Sequence, residues 1–154
     1  MPDCPLALGQ QGELLACLVA GCFRDSKIPR RASAWPKFFS QPREGAIWRG
    51  RDKSRGISWR LLTSPHALLE PAQAATPGPG RHLLYLAFNL HAPAVLKADI
   101  SLSSRSQKRV WVDGRELEPT PTSGSDAHHW QAQLTLSGGD HPVLIELQAR
   151  RPWE

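Results

Sequence analysis

The sequence predicts an all-β fold built as an antiparallel β-sandwich with a long irregular basic segment near its start, and three observations carry that expectation. Residues 109–116 read RVWVDGRE, a β-branched and aromatic run ending in Asp113-Gly114, the pair suited to a two-residue type I′ hairpin turn that needs φ > 0 twice. Strand-like runs recur at regular spacing on both sides of this hairpin. Fourteen Pro and twelve Gly are scattered without period, which multiplies chain reversals and disfavours long helices.

A chain of 154 residues suits one domain, 1–154, because a chain of that size buries roughly 70% of its unfolded surface. Residues 14–23 read as a first, buried strand. Within it Val19 to Cys22 resembles a lipoprotein cleavage pattern, but no Lys or Arg precedes Leu14, and the apolar stretch is too short to span a bilayer. The pattern is therefore read as coincidental, with no membrane span. Residues 24–75 form an irregular basic segment broken by Pro29, Pro36 and Pro42, with a short strand at 56–62 and a short helix at 67–75 started by Ser64-Pro65 and stopped by Pro77. The TPGPG run at 76–80 is a breaker linking two layers.

The main strands are expected over 81–150, at 83–90, 95–102, 108–113, 115–117, 130–136 and 143–148. Leu96, Ala98, Ile100 and Leu102 alternate with Lys97, Asp99, Ser101 and Ser103, as on a sheet with one packed and one solvated face. Trp130, Ala132, Leu134 and Leu136 repeat the pattern. Ser137 to Asp140, SGGD, reads as a turn making 130–136 and 143–148 antiparallel neighbours. Trp111 inside the hairpin strand reads as core or cross-strand packing.

The order of an alternating strand, a V-W-V-D-G hairpin, a polar excursion, an L-x-x-G turn and a final VLIEL strand resembles the galactose-binding-like jelly-roll domains. The likeness extends upstream, where ACLVAGCF is similar to their opening strand and Trp59 in GISW to an early Trp, although Cys17 and Cys22 stand where that strand often carries Trp and Pro. The resemblance covers residues 14–150. It implies a jelly-roll sandwich and a carbohydrate-binding function.

Catalytic and cofactor motifs are missing: there is no GxSxG, GxxxxGKS, HExxH or helix-opening GxGxxG, which argues against an enzyme and against a bound cofactor. Cys4, Cys17 and Cys22 have no zinc-like spacing and read as reduced and mostly buried, favouring a cytoplasmic setting. Asp126, His128, His129 and His141 are the nearest approach to a metal set, but adjacent His128 and His129 point to opposite faces of a strand, so no metal is expected. Glu116 and Glu118 read as solubilising edge charge.

Charge points to a partner. Residues 24–60 hold eleven Lys or Arg against Asp25, Glu44 and Asp52, a balance of +8, and the rest of the chain carries eight basic against eleven acidic groups, or −3. Trp35, Phe38, Phe39, Trp48 and Trp59 are interleaved with these cations. Such a mix suits single-stranded nucleic acid, an acidic glycan or an acidic protein surface. It equally suits a loop whose rings are pinned to the sandwich while its arginines face water. The candidate ligand-binding residues are Trp48, Arg49, Trp59, Arg60, Asp126, His128 and Trp130, gathered if the 119–129 excursion lies beside the basic segment. The reading is a non-catalytic recognition module, with carbohydrate first, a structural or partner-docking role as the alternative, and polyanion or nucleic-acid binding third.

Overall fold

The computed structural model describes residues 12, 14–23, 28–49, 56–64, 82–121 and 128–149. The expected helix at 67–75, the TPGPG link at 76–80, Cys4 and Asp126 lie outside the described residues. Among the described residues regular structure is almost entirely strand: β1 (Ala16–Phe23), β2 (Ile47–Trp48), β3 (Ile57–Ser58), β4 (Arg60–Thr63), β5 (His82–Ala92), β6 (Leu96–Ser103), β7 (Gln107–Val112), β8 (Arg115–Glu116), β9 (His129–Leu136) and β10 (Gly139–Ala149), with a 3-10 turn at Ala32–Ala34 and one α-helical turn, α1 (Lys37–Ser40). The fold is all-β, and every strand pair among the described residues is antiparallel. Among the described residues no helix is long and apolar enough to cross a membrane.

Six strands form one sheet in the order β4-β1-β5-β10-β7-β8, while β6 pairs with β9 and β2 with β3 in two-stranded sheets. The longest register aligns Gly139 through Ala149 with Ala92 through His82. Val19 to Cys22 lie inside β1, which is hydrogen-bonded on both sides, to β4 and β5.

Register fixes which side chains share a face, because directly paired residues project to the same side. Ile145 is paired with Leu86 on one side and Val110 on the other, and with Leu84, Val112 and Val143 these three make a buried aliphatic face. The alternating residues of β6 and β9 behave as their pattern predicts. Trp130, Ala132 and Leu136 join the same core cluster, Leu96, Ala98, Ile100, Leu102 and Leu134 pack against it, and Lys97, Asp99, Gln133 and Thr135 are exposed. The arrangement is sandwich-like, and the chain changes layer after β5 at residues 93–95 and again after β9 at residues 137–138.

That second crossing corrects one expectation. β9 and β10 are not neighbours: β9 pairs with β6, and β10 lies between β5 and β7. The Ser137-Gly138-Gly139 link is a corner between layers, with Gly139 at φ 122 and Gly138 close to the backbone of Ala92, Pro93 and Ala94 at the first crossing. A hairpin and a corner use the same small residues, so local sequence does not separate them.

Candidate functional site

The opposite face of the six-stranded sheet is aromatic and polar. Tyr85, Glu146 and Arg109 are paired across β5, β10 and β7, and Trp111 is paired with Leu144 and Glu116. Residues 28–48 cover this face. Phe39 meets Tyr85 at a centroid distance of 4.8 Å, Phe23 meets Phe38 at 6.1 Å, and Trp35 stands edge-on to Trp111 at 5.6 Å. Trp59 stacks on Phe38 at 5.3 Å and donates its indole N–H to the Phe38 carbonyl at 2.8 Å. The rings thus point down, while Arg30, Arg31, Lys37, Arg43, Arg49 and Arg60 are exposed. Apolar rings gain by leaving water and guanidinium groups lose, which sorts one mixed segment into an inner and an outer side.

A charged network ties this cover to the sheet. Glu146 is 3% exposed and accepts from the Tyr85 hydroxyl at 2.7 Å. Burial, followed by the bond to Glu146, holds the Tyr85 phenol far above its ordinary pKa. Arg109 donates from Nε and Nη2 to the two Glu116 oxygens at 2.8 and 3.0 Å and from Nη1 to the Ile28 carbonyl at 3.2 Å. It also lies 3.6 Å from Glu146 and 4.6 Å over the Trp111 ring. The bond to Arg109 holds the Glu116 carboxyl below its ordinary range, and that to Glu116 raises Arg109. Glu116 is therefore a half-buried structural partner rather than the edge charge its sequence suggests, because the turn aims it at Arg109 on the neighbouring strand. Glu118 is exposed.

Where the cover meets the β7–β8 hairpin, a cleft of about 180 Å³ opens, walled by Trp35, Phe39, Pro42 and Trp111 with Asn89 and Asp113 among its polar lining. Asp113 and Gly114 adopt φ 52 and 74, the type I′ turn that the Asp-Gly pair predicts. His141, 5% exposed, fixes the Asp113 side chain: its Nδ1 lies 2.7 Å from Asp113 Oδ2 and its Nε2 2.8 Å from the Ser137 carbonyl.

The sequence-predicted site residues are distributed unevenly around this geometry. The β2–β3 hairpin brings together Trp48, Arg49, Trp59 and Arg60, since Trp48 pairs with Ile57 and the Trp59 amide bonds the Ala46 carbonyl. Arg49 and Arg60 are exposed and Trp48 is half-buried against Phe38 and Phe39. Trp59 has no exposed surface, and its ring is a core element, not an open platform. Trp130, on β9, is buried and paired with Leu102 of β6, and His128, just before β9, is exposed. His129 contacts the Ser101 and Ser103 hydroxyls, and His141 is engaged by Asp113. Among the described residues no three His, Cys, Asp or Glu side chains group as a metal site. Sequence reading missed Trp35, Trp111 and Asp113 as cleft residues. The Asp-Gly turn was the available signal, but nothing local shows that the cover docks beside it.

Comparison of the chain with protein-family models, with curated proteins and with solved structures finds no match.

Proposed function

We propose that the chain is a non-catalytic recognition module of jelly-roll type whose ligand is a carbohydrate. The observation that carries this reading is the cleft in which the rings of Trp35, Phe39 and Trp111 stand beside the Asp113 carboxylate. Sugar recognition draws on apolar ring surface for C–H contact and on a few placed polar groups for hydroxyls. The cleft lies where a loop segment and a hairpin turn meet on a sheet scaffold, the place where binding residues concentrate.

The test is calorimetric titration of the full chain with neutral glycans, acidic glycans and single-stranded nucleic acid at low and moderate salt. Salt-insensitive binding to one glycan class is the expected result. Binding that weakens steeply with salt and disappears in the Arg49→Ala/Arg60→Ala variant moves the function to the outer cationic surface. A specific observation favours partner docking as the second reading: Ile47 is 57% and Leu61 40% exposed, Ile47 two residues before the exposed Arg49 and Leu61 directly after the exposed Arg60. Absence of binding across the panel, with a protein captured through this surface, selects that reading.

A further inference from the structure

We infer, resting on the carbohydrate reading, that the cleft takes one uncharged sugar-sized ring, with the Trp111 indole N–H as hydrogen-bond donor to it and Asp113 as acceptor from it. Trp111 is fully buried, and its Nε1 has no hydrogen-bond partner among the described residues. This sets it apart from Trp35, whose Nε1 donates to the Pro29 carbonyl at 2.6 Å, and from Trp59, which donates to Phe38. A buried indole N–H ordinarily finds an acceptor; Trp111 lines the cleft and its unpartnered donor is buried, and on this inference a ligand oxygen supplies the missing acceptor. The nitrogen is screened from solvent, so ligand entry includes rotation of the half-buried Trp35 side chain that packs edge-on against Trp111, a rotamer change of the kind common on binding.

Size and charge define the ligand. The cleft measures about 180 Å³, slightly above the ~150 Å³ of an engineered cavity that accepts benzene and below the ~300 Å³ at which pockets for drug-sized ligands begin. One six-membered ring fits. The charged side chain in the lining is the Asp113 carboxylate, which accepts from a hydroxyl, and among the described residues the lining offers no cation to pair with an acidic sugar. One of its oxygens engages His141, and a carboxylate retains further acceptor capacity.

The experiment follows the indole N–H resonances of the ¹⁵N-labelled full chain during titration with neutral methyl glycosides and with a methyl glucuronide, calorimetry running in parallel. Assignment uses side-chain correlation, so no core substitution is needed. The expected result is a saturable downfield shift of the Trp111 indole proton with a neutral glycoside, a concurrent response of Trp35 and none with the glucuronide. In Asp113→Asn, which keeps a turn-compatible Asn-Gly pair, affinity falls about tenfold. A glycoside that binds while Trp111 stays unmoved overturns this inference and leaves the carbohydrate reading standing. Equal affinity for the glucuronide overturns the uncharged-ligand assignment. Absence of binding by every glycan overturns the carbohydrate reading and this inference with it.

Discussion

His141 and Asp113 are bound through a 2.7 Å contact between Nδ1 and Oδ2 while the other ring nitrogen of His141 faces the Ser137 carbonyl at 2.8 Å. Both partners are acceptors, so the two bonds are made together only by the imidazolium, the form that carries hydrogen on both nitrogens. The bond to Asp113, then that to Ser137, raises the His141 pKa above its ordinary 6.5 against the opposing effect of burial, with Asp140 adding a smaller attraction.

A raised pKa in the folded state means that the stabilisation is fully present below 6.5 and is lost as pH rises through the higher folded value. Urea unfolding at about pH 5.5 and about pH 8.5 is expected to show the chain less stable at the upper pH. His141→Gln, which cannot titrate, should flatten that difference. An unchanged slope in the variant assigns the pH dependence to groups other than His141.

Arg109 and Glu116 supply a second linkage of opposite sign. The depressed Glu116 pKa makes its stabilisation present above the unfolded value and lost as pH falls through the lower folded one. Glu116→Gln is expected to cost about 1–3 kcal/mol, because the guanidinium it leaves is only 25% exposed and still lies over Trp111. Arg109→Lys keeps the charge but loses the two-pronged geometry, so it should recover only part of the stability measured for the parent.

Trp59 and Trp48 separate core from surface within one hairpin. Trp59→Ala removes a fully buried ring and its bond to Phe38, and a loss of about 3–5 kcal/mol in urea unfolding is expected. Trp48→Ala should cost about 1–2 kcal/mol and leave a folded chain. Equal losses would mean that Trp48 is held as firmly as Trp59.

Much of this fold is written locally. The Asp113-Gly114 turn, the alternation in 96–103 and 129–136, and the β-rich 82–92 and 139–149 strands follow from side-chain period and turn chemistry. Layer membership does not: β9 joins β6 rather than β10, because a Gly-rich corner and a Gly-rich hairpin look alike until the two crossings at 93–95 and 137–138 pack together. The candidate site was less legible. Interleaved rings and cations at 24–60 fit either an aromatic binding surface or a docked cover, and the choice depends on the tertiary partners Tyr85, Trp111 and Phe23. Glu116 illustrates the same limit, since its ion pair requires knowing that Arg109 lies diagonally across the hairpin.

Gly114 is where the hairpin and the cover touch, and this contact sets the shape of the cleft. A Cβ at Gly114 would overlap the Ala32 Cβ, and the neighbouring Arg31 and Arg115 form an isolated antiparallel bridge. Gly114→Ala therefore meets two penalties, the backbone cost of φ 74 and the collision with Ala32. Gly45, at φ 77 with nothing within 4 Å of a Cβ, meets only the first, so Gly45→Ala should cost about 1–2 kcal/mol and Gly114→Ala measurably more. Ala32→Gly removes the atom that collides, and contacting sites couple by about 0.5–3 kcal/mol. In the Ala32→Gly/Gly114→Ala double variant the excess over Gly45→Ala should disappear, leaving backbone strain alone. Strict additivity of the two substitutions would show that the turn at 32–34 shifts freely away from the hairpin, and the cleft wall formed by Trp35 would then be adjustable rather than fixed by this contact.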